Sequence, residues 1–250
     1  MVKYIFDKIR PGRGFAHAFH LSIIAILPPL ILVLVRLDFN LIALAILLLS
    51  KWRMFALHPR HWIAHIRTNA VDIIASVSFL VFMASTSTMW IQIVWMILFE
   101  IWLLYIKPGT SVGMVSAQAV IANTLGLVSI FLALEGAILG AYVLAFWSIS
   151  YFCARHFLNI FDERHGRLIS SIWAFFAAAI MWVLGHWLLF VGPIAQPALL
   201  VSSLAFGFAG LYYLEQTDRL SSTIRQQIIL TMFAIVFVII VFSRWGDATV

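Results

Sequence analysis

The chain has 250 residues, of which 64% are apolar and 10% charged, with 16 Lys and Arg against 10 Asp and Glu. A water-soluble domain runs near half apolar and a quarter charged, so a soluble fold of this size could not hide so much apolar surface. The single cysteine, Cys153, excludes an internal disulfide and a dithiol redox mechanism within the chain, and reads as a small packed side chain.

Residues 1–14 mix apolar and basic side chains. Tyr4, Ile5 and Ile9 can share one helix face with Lys3, Lys8 and Arg10 around it, as in a cytoplasmic interfacial segment, although a free tail fits equally. The first apolar run, 15–35, is too long for a signal-peptide core and lacks a small-residue cleavage site, so a retained first helix is expected. Pro28 and Pro29 stand in its middle. Residues 40–50 then reach only ~16 Å as helix. Either that helix continues through Trp52 and Phe55 with Lys51 and Arg53 snorkelling, or the first two segments form a proline-broken hairpin.

A basic loop, 51–69, comes next. Residues 70–106 contain no Lys or Arg and fit two spans with a turn near Ser85–Thr88. Residues 110–152 fit two more, turning near Glu135 and Gly136, and a polar loop at 155–167 ends them. Residues 168–214 give another pair, interrupted by Gly192, Pro193 and Pro197. A polar stretch, 215–227, precedes the last span, 228–242. The expectation is an all-α, polytopic transmembrane bundle of about nine segments: one helical domain at 15–243, an external tail at 244–250 and no soluble domain. Small residues at Gly136 and Gly140, and at Ala205, Gly207, Ala209 and Gly210, read as close-packing devices.

The loops alternate in charge. Fourteen Lys and Arg fall on one side of the nine-segment arrangement, and Arg36 and Arg244 on the other. The positive-inside rule then places the N-terminus in the cytoplasm and the C-terminus outside, in a plasma or inner membrane. The expected partners are membrane lipids, with a partner membrane protein or a second copy of the chain. The net charge of +6 comes with no nucleic-acid motif, so nucleic acid is not expected.

Ionisable groups inside membrane segments are the natural chemical leads, because burying them is costly. Asp72 and Glu100 lie on adjacent segments, both ~7–10 Å below the basic surface by helical rise. With no intramembrane Lys or Arg, a facing pair would share a proton or hold a cation, as a coupled transporter requires. The alternative sends Asp72 up to an interfacial Lys or Arg and leaves Glu100 protonated and hydrogen-bonded to a neighbouring helix. Gln118 and Asn123 in the fifth segment, and Gln92 in the fourth, could line a polar path or bond between helices. His186 beside Trp182 and Trp187 suits an interfacial belt.

His58, His61 and His65 are spaced to share one helix face. With Trp62, Arg60 and Arg67 nearby, they read as a head-group-binding interfacial helix. His61-x3-His65 also resembles a fragment of the histidine boxes of membrane di-iron desaturases and hydroxylases, which would imply a metal site; the adjacent histidine pairs of those boxes are absent. The chain has no H-E-x-x-H, no Walker loop, no GxGxxG and no rhomboid-type GxSG, so no cofactor is expected and a non-enzymatic role is favoured. Two functions remain: a small-solute, ion or lipid transporter, and a non-catalytic membrane subunit, with a membrane metalloenzyme third.

Overall fold

A long apolar run without basic residues leaves the backbone only itself to bond with in lipid, and a helix satisfies every peptide group internally. The computed structural model describes residues 15–51, 62–187 and 190–244. Among them are nine α-helices: α1 (Phe15–Arg36), α2 (Asn40–Leu49), α3 (Trp62–Ala84), α4 (Met89–Ile101), α5 (Val112–Ala133), α6 (Leu139–Asn159), α7 (Gly166–Gly185), α8 (Gln196–Gln216) and α9 (Ser222–Phe242). Helix α4 runs on into a π-helical turn, Trp102–Ile106. Strands β1 (Phe190–Val191) and β2 (Ile194–Ala195) pair antiparallel between α7 and α8.

Six segments are long and apolar enough to cross a membrane: Ile66–Ala84, Met89–Ile106, Val112–Ala133, Gly166–Gly185, Gln196–Gln216 and Ser222–Phe242. The bundle is thus consistent with a membrane-embedded protein. The other three helices fall short of that standard for different reasons. Helix α2 has only 10 residues, and the described apolar part of α1 is Ile24–Arg36. Helix α6 has 21 residues but includes Arg155 and His156, along with Tyr, Trp and Ser side chains.

Three sequence expectations are corrected by the chain path. The first helix continues through Pro28 and Pro29; the hairpin bends instead at residues 37–39, where Asp38 takes a left-handed φ of 59°. There the Phe39 N–H bonds the Leu34 carbonyl at 2.9 Å, a Schellman-type helix end in which Asp takes the place usually given to Gly. Helix α2 stops at Leu49, and Lys51 turns inward and is buried rather than snorkelling outward. The 155–167 and 215–227 loops are shorter than expected, because α6 runs to Asn159 and α9 begins at Ser222. Ser221 caps α9 by accepting from the Ile224 N–H.

The antiparallel path sorts the connections to two ends. The basic end holds Lys51, Lys107, Arg164, Arg219 and Arg225. The opposite end holds the 37–39 and 85–88 turns, the 134–138 turn and the β-hairpin. Contacts agree with this sorting. Arg36 donates to the Ser87 carbonyl at 3.4 Å, and the Arg244 N–H to the Phe190 carbonyl at 3.1 Å.

Two large apolar cores result, beside a small third one of Ala119, Phe157 and Leu158. The first joins α1 to α4 through Ile31, Leu47, Met83, Phe99 and Trp102. The second joins α5 to α8 through Leu127, Phe146, Met181 and Val201. Helices α3, α5 and α6 pack closely at Gly126, where a Cβ would come within 2.7 Å of Ile74 and 3.0 Å of Ile149. One turn away, Ser129 bonds Ser78 at 3.0 Å. The Gly136–Gly140 pair is not such a device: nothing lies within 4 Å of a Cβ at either position, and Gly136 serves a turn at φ 76°. Gly207 packs against Met232 of α9, whereas Gly210 faces open space.

Candidate functional site

The polar side chains in the bundle form two centres. The first surrounds Asp72, ten residues into α3 and 8% exposed. A buried carboxylate needs cations and donors to hold its charge, and here they converge from three elements. Lys51, 8% exposed, forms an ion pair with Asp72 from the end of α2. Lys107 Nζ pairs with Asp72 Oδ2 at 2.7 Å. Trp102 Nε1 donates to Oδ1 at 3.1 Å, and Ser76 Oγ lies 3.5 Å from the same oxygen.

The π turn makes this convergence possible. In a regular α-helix residues 102 and 107 would lie about 140° apart around the axis. The Lys107 N–H instead bonds the Trp102 carbonyl at 2.8 Å, a five-residue step that closes one wide turn and stacks the two residues on one side. Asp72 therefore has basic partners, as in the alternative that sends it up to an interfacial Lys or Arg, and is not the carboxylate without cations of the coupling-pair alternative.

Glu100 is not brought to Asp72. It lies two residues before Trp102, about 200° around a regular helix, so it points away from the face that Trp102 presents to Asp72. Glu100 is half-buried and makes no ion pair or hydrogen bond among the described residues. The facing carboxylate pair that a coupling site would need is absent from this arrangement.

Gln118 is part of the scaffold around Lys107. Its Nε2 faces the carbonyls of Ile106, Gly109 and Lys107 at 2.7, 3.0 and 3.2 Å. They belong to a helix end, where carbonyls lack the full set of intrahelical donors; the Ile106 carbonyl also accepts from the Gly109 N–H at 3.1 Å. Its Oε1 lies 3.2 Å from His156 Nε2 on α6. An amide oxygen only accepts, so His156 carries its proton on Nε2. Gln92 plays the same part at the opposite end, donating to the Met83 and Thr86 carbonyls at 3.0 and 2.6 Å. His186 is exposed, its Nδ1 2.7 Å from the Trp182 carbonyl.

The second centre surrounds Asn123. It lies five residues after Gln118, about 140° around α5, so the two amides serve different faces and share no path. Asn123 is midway along α5, 3% exposed, and neither its nitrogen nor its oxygen has a hydrogen-bond partner. It lines a cavity of about 570 Å³ between α5, α6, α7 and α8. A side-chain amide offers two donors and an acceptor, and leaving them unmade in a buried place costs on the order of 1–3 kcal/mol.

The remaining walls are mainly apolar and aromatic, among them Cys153, Phe157, Trp173, Phe208 and Tyr212. Ile172, Phe176 and Phe208 line the cavity and are also exposed on the outer face, so it opens sideways between α7 and α8. Towards the basic end it reaches Glu215 and Tyr212. Tyr212 donates to Glu163 Oε2 at 2.6 Å, tying the α6–α7 connection to α8. This bond, with the His165 N–H on the other oxygen at 3.4 Å, holds the Glu163 carboxyl below its usual range. The small residues Ala205 and Ala209 line the cavity, and Ala209 also packs against Ala119, Phe157 and Leu158. A second hollow of about 660 Å³, reached by Gly113, Thr124 and Gly210, lies on the other side of α8.

Arg60, His58 and His61 lie outside the described residues, as do the N-terminal segment 1–14 and the side chain of His65. Arg67 is described and exposed near the start of α3. Among the described residues, no three His, Cys, Asp or Glu are grouped to hold a metal ion. The lateral cavity had no signal in the sequence beyond the small residues of α8 and the polar Asn123. In comparisons with known proteins, no family model, curated protein or solved structure matches the chain.

Proposed function

We propose that this chain is a lipid-handling integral membrane protein, with nine membrane segments and a cytoplasmic N-terminus, that takes a membrane-dissolved ligand sideways into the α5–α8 cavity. One observation carries the reading: a buried, wholly unpartnered amide, Asn123, at the inner end of a cavity open to the bilayer. Pockets of several hundred Å³ with apolar walls and a few convergent polar groups are the usual form of small-molecule sites. The Asp72 cluster supports the same reading by its satisfaction: it ties α2, α3 and the π turn together, and its carboxylate is taken up by Lys51 and Lys107 rather than free for ion coupling. The orientation rests on the charge asymmetry of the two ends.

The test is purification in mild detergent followed by native mass spectrometry and extraction of bound lipids. A small molecule should copurify at one per chain and be lost when Ala205→Phe fills the cavity. Equal occupancy in that variant would remove the cavity from the function. Reporter fusions at the two termini test the orientation, and finding both on the same side would refute the nine-segment arrangement.

A second reading, a membrane subunit that packs against a partner or another copy, is favoured by α9. That helix touches the bundle mainly through α8 and leaves Leu230, Phe233 and Phe237 about 70% exposed. A stoichiometric protein partner in the same purification, lost on changing those three residues to Ala, would favour it.

A further inference from the structure

Given that the α5–α8 cavity is a ligand site, the reading on which this inference rests, its walls restrict the kind of molecule that fits. The lining offers no Lys, Arg or His, and Glu215 is the ionisable group at the basic-end mouth. A fatty acid or phosphate would have to bury its charge there without a cation, against a carboxylate. An anionic ligand is therefore excluded, and the uncharged Asn123 amide, the unpartnered group deep in the cavity, suits a neutral one.

Depth narrows the class further. Asn123 is eleven residues from Val112 and ten from Ala133, or ~15 Å from either end of α5 by helical rise. Glycerolipids keep their ester carbonyls near the edges of a ~30 Å hydrocarbon core, so one lying in this cavity would offer Asn123 only its tail. The matching ligand holds a carbonyl or hydroxyl group inside the core. The aromatic walls favour a flat ring beside that group: Trp173 meets Phe208 edge-on at 5.7 Å, and Phe157 meets Tyr212 in the same way at 5.7 Å.

We infer that the cavity binds an isoprenoid quinone or a lipid of that class, a neutral chain-bearing ring whose carbonyl accepts from Asn123 Nδ2 or whose hydroxyl donates to Oδ1. The chain leaves through the gap between α7 and α8, where Ile172 and Phe176 meet lipid.

The test uses the full chain in nanodiscs of quinone-free phospholipid. Short-chain isoprenoid benzoquinone and naphthoquinone are titrated in, with the matching isoprenoid hydrocarbon and oleic acid as comparisons. Saturable one-to-one quinone binding is expected, with the hydrocarbon and oleic acid each about tenfold weaker or worse. Asn123→Leu should weaken quinone binding by a similar factor while melting no lower than wild type without ligand, and Ala205→Phe should abolish it. If hydrocarbon or oleic acid binds as tightly as quinone, and Asn123→Leu changes nothing, the quinone class is wrong while the lipid-ligand reading stands. If no probe binds saturably to wild type, both fail.

Discussion

Asp72 and Asn123 sit ten and eleven residues into their helices, both buried, yet their surroundings are opposite. Asp72 collects Lys51, Lys107, Trp102 and Ser76; Asn123 collects nothing. The expensive group, a carboxylate in an apolar bundle, is fully partnered, and the cheaper one, an amide, is left bare. A protein that commits two lysines and a π turn to one carboxylate uses it to hold helices together. A bare amide facing a cavity is placed for something outside the chain. Residue type alone would have ranked the two the other way.

The largest expected effect tests the tied side of this contrast. Asp72→Leu strips Lys51 and Lys107 of their partner and should cost about 3–5 kcal/mol, seen as a large fall in melting temperature in detergent. Adding Lys51→Met should recover part of the loss, because the buried uncompensated charge is what hurts. A single Asp72→Leu chain as stable as wild type would remove the cluster from the scaffold.

Gln118→Leu comes next. It leaves the Ile106, Lys107 and Gly109 carbonyls facing an apolar side chain and should cost about 1–3 kcal/mol, again read by thermal melting. Asn123→Leu goes the other way. It removes a buried group that bonds to nothing, so the ligand-free protein should melt at or above the wild-type temperature, by up to about 1 kcal/mol. A destabilisation as large as that of Gln118→Leu would mean Asn123 is partnered after all and erase the contrast.

The smallest effect sits at the mouth of the cavity. The Glu163 carboxyl is depressed by its bond from Tyr212, so its folded-state pKa lies below its unfolded value. The stabilisation is present above about pH 4.3 and fades as the pH falls through the folded-state value. Wild type should therefore lose its small melting advantage over Glu163→Gln on acidification, and a difference that stays constant would show that the bond does not titrate.

The positions of the polar residues along their helices were legible in the sequence, because helical rise turns residue count into distance. Asp72 and Glu100 do lie on neighbouring antiparallel helices, as the runs without Lys or Arg indicated. What could not be read was azimuth. Whether Glu100 faces Asp72 depends on which side of α4 packs inward, and the wide turn at Trp102–Ile106 breaks the period that a sequence pattern would use. Lys51 sits at the surface on the reading that extends the eleven-residue run through Trp52 and Phe55; α2 instead stops at Leu49 and the lysine turns inward. The small residues of α8 were visible, but spacing alone does not separate a packed seam from a hollow. Only the positions of α5 and α9 show that Gly207 meets Met232 while Ala205 and Ala209 border empty space.

The wide turn at Trp102–Ile106 also makes this part of the chain respond unequally to the loss and the gain of a residue. Its side chains, Leu104 and Tyr105 for example, can change identity without disturbing the frame, since the turn is defined by the bond from the Lys107 N–H to the Trp102 carbonyl. Removing a single residue would turn the five-residue step into the four-residue step of a regular α-helix and leave Lys107 and Trp102 on one side, whereas adding one would put them about 120° apart, so that the ammonium and the indole no longer reach the same carboxylate. Natural variants of this protein should therefore differ more freely at Leu104 and Tyr105 than at Trp102, which holds Asp72, and should lose a residue here more readily than gain one.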